Sequence, residues 1–255
     1  MKFFFIPFLY FYHSRLKSIT KALSWVFIYI FPIFIFCFIS DNNSLQDAAW
    51  LFLYITGIYT IYEIGYINND CETIKNENNP TLRLLKSELE YYDDNRKLIY
   101  ISRGIISFII GVALSFSEIA SPYYVVASYT GLLVTFLVYN SVRSILNLPL
   151  HFLLVLFRFS SFTLVFNLGF DSFIATIFIF PLVNLFERCG EARFKLPFFQ
   201  KSFFSNHDLF RVVYYTIALT FLLSIDAYDP ILYTVTYMLV YRTLSPLVFN
   251  FITKR

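Results

Sequence analysis

The chain carries little charge, little glycine and almost no sulfur. Of its 255 residues 15% are charged, and it holds seven Gly, three Cys and two Met. A soluble domain of this length carries about 25% charged residues around one core, so the shortage of charge sets the chain apart from that class. Disordered and collagen-like chains are excluded by the same numbers. Cys37, Cys71 and Cys189 are too few for a disulfide scaffold, and no C-x-x-C pair or Cys/His cluster offers a zinc site. His13, His151 and His207 are scattered, with no acidic partner at a suggestive spacing, which argues against nucleophile–His–Asp chemistry. A formal net charge of +3 implies no nucleic-acid partner by itself, and none is expected.

What is present is apolar. Hydrophobic residues make up 58% of the chain, with 33 Phe and 20 Tyr, and the mean hydropathy is +0.62. Crossing a bilayer takes roughly 20 apolar residues, and about eight such stretches occur. They lie near residues 18–40, 48–67, 98–116, 123–141, 151–168, 172–186, 209–224 and 230–251. The sixth is short, as a tilted span, a re-entrant piece or a helix ending in a cavity would be. The expected fold is all-α: one membrane domain over residues 1–255, a transmembrane bundle of about eight spans with long polar loops at about 69–97 and 187–208. Phe and Tyr at the span ends serve as interface anchors by default.

The loops sort by charge. Lys2, Arg15, Lys17 and Lys21 precede the first stretch; Lys75, Arg83, Lys86, Arg96 and Lys97 follow the second. Arg143 follows the fourth, Arg188, Arg193, Lys195 and Lys201 follow the sixth, and Lys254 and Arg255 close the chain. Between them, the other loops hold Asp41, Asp47, Glu118, Asp171, Asp226 and Asp229 and no Lys or Arg. The positive-inside rule then places both termini in the cytoplasm, and a bacterial inner membrane is the expected location. Residues 1–7 lack a small-residue cleavage site and are expected to lie at the membrane interface.

A membrane chain spends polarity sparingly, so its polar clusters are informative. If the second helix continues past the membrane edge to Pro80, then Glu63, Asp70, Thr73 and Glu77 share one face, with Tyr66 and Asn69 beside them. Oxygen ligands at the mouth of a cavity suit a hydrated Mg²⁺ that also binds substrate phosphates. A solvated helix end carries the same pattern. After the sixth stretch, Glu187 and Glu191 are four apart, with Arg188, Arg193 and Lys195 around them. This is the layout of a second carboxylate wall around a diphosphate, and equally of a charged collar of helix-surface pairs. Tyr139 to Arg143 close the fourth stretch on the same side. Arg103, Arg158 and Arg242 fall in or near apolar segments, where they serve an anionic substrate, reach headgroups or pair with Glu63; structural roles suit Arg158 and Arg242 best.

These three clusters resemble the motifs of the UbiA superfamily of intramembrane prenyltransferases, which carry N-D-x-x-D-x-x-x-D after the second span, a Tyr-to-Lys segment after the fourth and D-x-x-x-D after the sixth. Here the first reads Asn69-Asp70-Cys71-Glu72-Thr73-Ile74-Lys75-Asn76-Glu77, with Thr for the second carboxylate and Glu for the third. The second is Tyr139 to Arg143, with Arg for Lys, and the third is Glu187 and Glu191. The likeness covers roughly residues 15–250, and the family's usual ninth span has no counterpart. A finer resemblance, through Asn79-Pro80-Thr81-Leu82-Arg83, is to the decaprenyl-phosphate phosphoribosyltransferase-like branch.

The resemblance implies an Mg²⁺-dependent transferase with a central cavity open to the cytoplasm. It would join a prenyl or polyprenyl lipid to a partner, or phosphoribosyl to polyprenyl phosphate, with loss of diphosphate from a diphosphate-containing donor. Asp70, Glu77, Glu187 and Glu191 would hold metal. Asn69, Thr73, Arg83, Tyr139, Arg143, Arg188, Arg193 and Lys195 would contact substrate. The competing expectations are a transporter or flippase for a lipid-linked or anionic solute, against which the chain shows no internal repeat, and an inactive scaffold of the same fold.

Overall fold

In a computed structural model, which describes residues 1–41, 45–77, 80–200 and 202–253, the chain is helical, with no strand among the described residues. Its long helices are α1 (Ile19–Ser40), α2 (Leu45–Cys71), α3 (Lys86–Ser115), α4 (Pro122–Ser141), α5 (Asn147–Phe159), α6 (Phe170–Cys189), α7 (His207–Ser224) and α8 (Asp229–Thr253). Each overlaps one of the eight apolar stretches, although α5 stops at Phe159, before the fifth stretch ends. Four of them, α1, α3, α4 and α6, are long and apolar enough to cross a membrane. The protein is therefore a helical bundle with membrane-spanning character.

Local chemistry sets the helix ends. Glu88 reaches back to accept from the Leu85 backbone amide at 2.8 Å where α3 begins. Pro122 occupies the first turn of α4, where its missing N–H costs nothing. The short sixth stretch is one helix broken at Phe180, because Pro181 next to it cannot donate to the ladder. The Asn184 side chain donates to the Phe180 carbonyl at 2.8 Å.

Helix α2 is central and packs against both α3 and α4. Two glycines allow α4 to approach it. A Cβ on Gly65 would lie 2.2 Å from the Phe136 ring, and one on Gly57 would lie 1.7 Å from the Tyr129 hydroxyl. Small residues at such contacts are what helix packing in a bilayer favours.

The N-terminal segment packs back onto α2 and α3. It folds as three short turns, Lys2–Phe4, Leu9–Phe11 and Tyr12–Leu16, and buries Phe4 and Tyr10 completely. The reason is a buried charge. Glu63 of α2 and Arg103 of α3 form an ion pair with no exposed side-chain surface. Arg103 also donates to the backbone carbonyls of Phe4 (2.9 Å), Phe3 and Ile6 (3.2 Å each), and Glu63 accepts the amides of Phe11 (2.7 Å) and Phe8 (3.1 Å). Burying such a pair is favourable only when its remaining donors and acceptors are met. Phe8 adopts a left-handed backbone, φ 66°, at a cost of about 1–2 kcal/mol that its bond to Glu63 offsets.

Candidate anion-binding site

The acidic stripe read from the sequence is not one helix face. Helix α2 stops at Cys71, Thr73–Asn76 is a 3-10 turn, and Glu77 is extended. The Thr73 hydroxyl turns back to the Asn68 carbonyl at 3.4 Å, a side-chain bond that competes with the helix ladder. Asn78 and Asn79, just before Pro80, lie outside the described residues, as do Lys201, Lys254 and Arg255.

Asp70 faces the N-terminal segment. Arg15 grips it with two donors, at 2.7 and 2.9 Å, the Tyr10 hydroxyl donates at 3.1 Å, and the Asn69 amide donates at 3.1 Å. The Arg83 Nε stands 3.8 Å away. Burial alone would lower the Arg15 guanidinium, but its bonds to Asp70 outweigh this and hold it above its ordinary range. Burial, and then the Asp70 charge, push the Tyr10 phenol well above the usual tyrosine range.

The other proposed ligands are similarly engaged. Glu77 pairs with Arg143 at 2.6 Å. Glu191 pairs with Arg188 at 2.5 Å and Arg193 at 2.8 Å. Glu187 turns away from both, to Arg211 of α7, which holds it at 2.5 and 2.8 Å. Lys195 is exposed on its loop. Among the described residues no three His, Cys, Asp or Glu side chains come together. Magnesium needs oxygen ligands free to complete an octahedron, and carboxylates each held by a guanidinium do not present that set. The donor set as arranged does not fit a resident Mg²⁺.

It fits an anion. A cavity of about 380 Å³ is lined by Arg15, Arg83, Arg143, Arg188 and Arg193, and Glu77 is the single carboxylate in its wall. Asn69, Tyr62, Tyr66, Phe136, Tyr139, Asn140, His151 and Leu154 complete the lining. Arg15 lies over the Tyr66 ring at 4.2 Å, and Arg188 donates to the Tyr139 hydroxyl. Arg193 donates to Asn147 at 3.2 Å. Two polar atoms of this wall, the Arg188 Nε and the Asn140 Oδ1, are buried without a hydrogen-bond partner among the described residues. An open recess of about 490 Å³ adjoins it, sharing Glu77, Asn140 and Arg143 and adding Asn68, Glu72 and Thr73.

The segments read from the sequence thus supply most of this wall. Asn69, Glu77, Arg83, Tyr139, Arg143, Arg188 and Arg193 meet there. Asp70, Glu187, Glu191 and Lys195 are absent from the lining, and Thr73 lines only the recess. Tyr62, His151 and Leu154 also line the wall, and no local sequence signal marks them; Asn140 lies within the Tyr139–Arg143 segment but carries no signal of its own. The sequence reading also missed the Arg15 grip on Asp70 and the pairing of His13 with Glu88 at 2.9 Å. These partners are distant in the chain, and only the general excess of basic residues near the N-terminus hinted at them. The chain matches no protein-family model, no curated protein and no solved structure.

Proposed function

We propose that this chain is an integral membrane protein of about eight spans whose arginine-walled cavity binds the phosphate or diphosphate of a lipid substrate or its donor at the cytoplasmic end, and that it acts as a transferase releasing diphosphate. The observation that carries the reading is convergence. Asn69 from the last turn of α2 with Glu77 beyond it, Tyr139 and Arg143 from the end of α4, and Arg188 and Arg193 from the end of α6 all line one cavity. These are the three segments behind the UbiA resemblance.

Guanidinium groups present planar forks that match phosphate oxygens, and they stay charged at any physiological pH. Diphosphate departs with the electron pair of its bond to carbon, and fixed cations around it stabilise the charge it gains. Asp70 and Glu191 act as positioning residues, holding Arg15 and the Arg188–Arg193 pair toward the cavity. Phe136 and Leu154 give its inner wall an apolar surface for a hydrocarbon chain.

The test is a transfer assay on membranes containing the protein. Labelled phosphoribosyl diphosphate is offered with polyprenyl phosphate, and labelled prenyl diphosphates with mixed acceptors. A lipid-soluble product that falls about tenfold or more in Arg143→Gln supports the transferase, and the labelled donor assigns the branch. Folded protein that yields no product from any donor rejects it.

One observation favours a second reading, transport of an anionic solute. Helix α6 is broken at Phe180 inside the bundle, where the Phe180 ring packs 5.2 Å from that of Phe159. Interrupted helices at that depth build the sites of many transporters. Flux of an unmodified anion into proteoliposomes, with no product in the transfer assay, would select this reading.

A further inference from the structure

Among the arginines carried by the apolar helices, Arg103, Arg158 and Arg242 are treated differently by the protein. Arg103 is fully met by Glu63 and backbone carbonyls. Arg242 has a buried Nε without a partner, and neither it nor Arg158 is itself in the lining of the cavities described above; of the two, only Arg158 packs against residues that are. Arg158 also has a buried Nε without a partner, and among the described residues no carboxylate or other acceptor meets its guanidinium. It sits on the face of α5 that carries His151 and Leu154, seven and four residues earlier, and both of those line the arginine-walled cavity. Its carbon lies over the rings of Phe159 at 4.1 Å and Tyr62 at 4.3 Å, and Tyr62 is itself a cavity wall. Arg158 itself is half-buried.

An arginine at membrane depth is costly unless it has an anionic partner, and here no side chain supplies one. We propose that Arg158, just below the cavity floor made by Tyr62 and Leu154, seats a second oxyanion, the phosphate or carboxylate of a long-chain amphiphile. Two helical turns separate it from His151, about 10 Å along α5, so a diphosphate gripped at the mouth by Arg143 and Arg193 does not occupy it. Aromatic rings against the guanidinium hold its planar donors in place while the apolar surroundings receive the chain. The cavity is then a two-ligand site, an inference that rests on the anion-binding reading of its mouth.

The test uses purified full-length protein in a non-ionic detergent, with an alkyl phosphate, inorganic phosphate and pyrophosphate as probes in calorimetric titrations. Arg158→Gln is expected to weaken alkyl phosphate binding about tenfold or more and to leave pyrophosphate affinity within about twofold. Where that variant does not fold, Arg158→Met is measured in its place. A readout in the unaltered protein supports either: phenylglyoxal modification of Arg158, followed by mass spectrometry, is suppressed by the alkyl phosphate. Arg158-dependent binding of inorganic phosphate with no gain from the alkyl chain supports the oxyanion seat and assigns it a soluble anion. Alkyl phosphate binding unchanged in a folded Arg158 variant, or modification that no probe suppresses, overturns the proposal. Pyrophosphate that fails to bind while alkyl phosphate binds through Arg158 rejects the mouth and leaves the Arg158 seat standing.

Discussion

Glu63 and Arg103 face each other from α2 and α3 with no exposed surface, and the groups that complete their hydrogen bonding come from the first eleven residues of the chain. Removing one partner leaves the other charge buried and unpaired, which costs about 3–5 kcal/mol. Glu63→Ala or Arg103→Met should therefore unfold at a markedly lower temperature in detergent. Each should also speed tryptic cleavage after Arg15 and Lys17, because the N-terminal segment loses its anchor. Unchanged cleavage in either variant would show that the segment is held by other contacts.

A second prediction separates structural and metal roles for Asp70. Its grip on Arg15 is bidentate and nearly buried, and hydrogen bonds to a charged group are worth about 1.5–3 kcal/mol. Asp70→Asn and Arg15→Met should each destabilise the protein, and the double variant should cost less than the sum. Strict additivity would mean that the two side chains do not act as a pair.

Tyr10 supplies a pH signature. Its phenol is pushed upward by burial and by Asp70, so the folded state holds the proton more tightly than the unfolded chain, whose tyrosines ionise near pH 10. Above about that pH the unfolded state binds fewer protons, so stability falls as pH rises, while below it this contribution is constant. Tyr10→Phe should flatten that alkaline decline in a series of thermal melts. An identical slope in the variant would remove Tyr10 as its source.

Much of the fold was legible because a bilayer demands long apolar runs: each of the eight overlaps a helix, and four of those helices are long and apolar enough to cross. Pro181 was visible in the sixth, and its break is the reason that stretch reads short. The cavity was half legible: the loop arginines shared one end by charge pattern, whereas Tyr62, Asn140 and Leu154 carry no local signal that they face it. The acidic stripe failed because a helix end depends on side-chain bonds such as that from Thr73 to Asn68, which spacing does not reveal. Which of Arg103, Arg158 and Arg242 pairs with Glu63 is a tertiary matter, since all three sit in similar apolar surroundings. The opening Phe-rich segment looks interfacial by composition, and only the buried Glu63–Arg103 pair explains why it folds inward.

Close approach of α2 and α4 gives a packing prediction. A methyl group at Gly65 would meet the Phe136 ring, and overpacking of this kind costs about 1–3 kcal/mol. Gly65→Ala should lower the unfolding temperature, and Gly65→Ala with Phe136→Leu should recover part of it. Because Phe136 also lines the cavity, the single variant should weaken anion binding as well. A Gly65→Ala protein as stable as the unaltered one would mean that the helices stand further apart.

The central claim is that arginines, without a resident metal, make this cavity an anion site. The most direct measurement is calorimetric titration of pyrophosphate into purified protein in detergent with EDTA, beside Arg143→Gln/Arg193→Gln. The account predicts binding of one pyrophosphate in EDTA, weakened about tenfold or more in the double variant and reduced by added salt. No binding, or binding that appears only when Mg²⁺ is supplied and is indifferent to the two arginines, would contradict it.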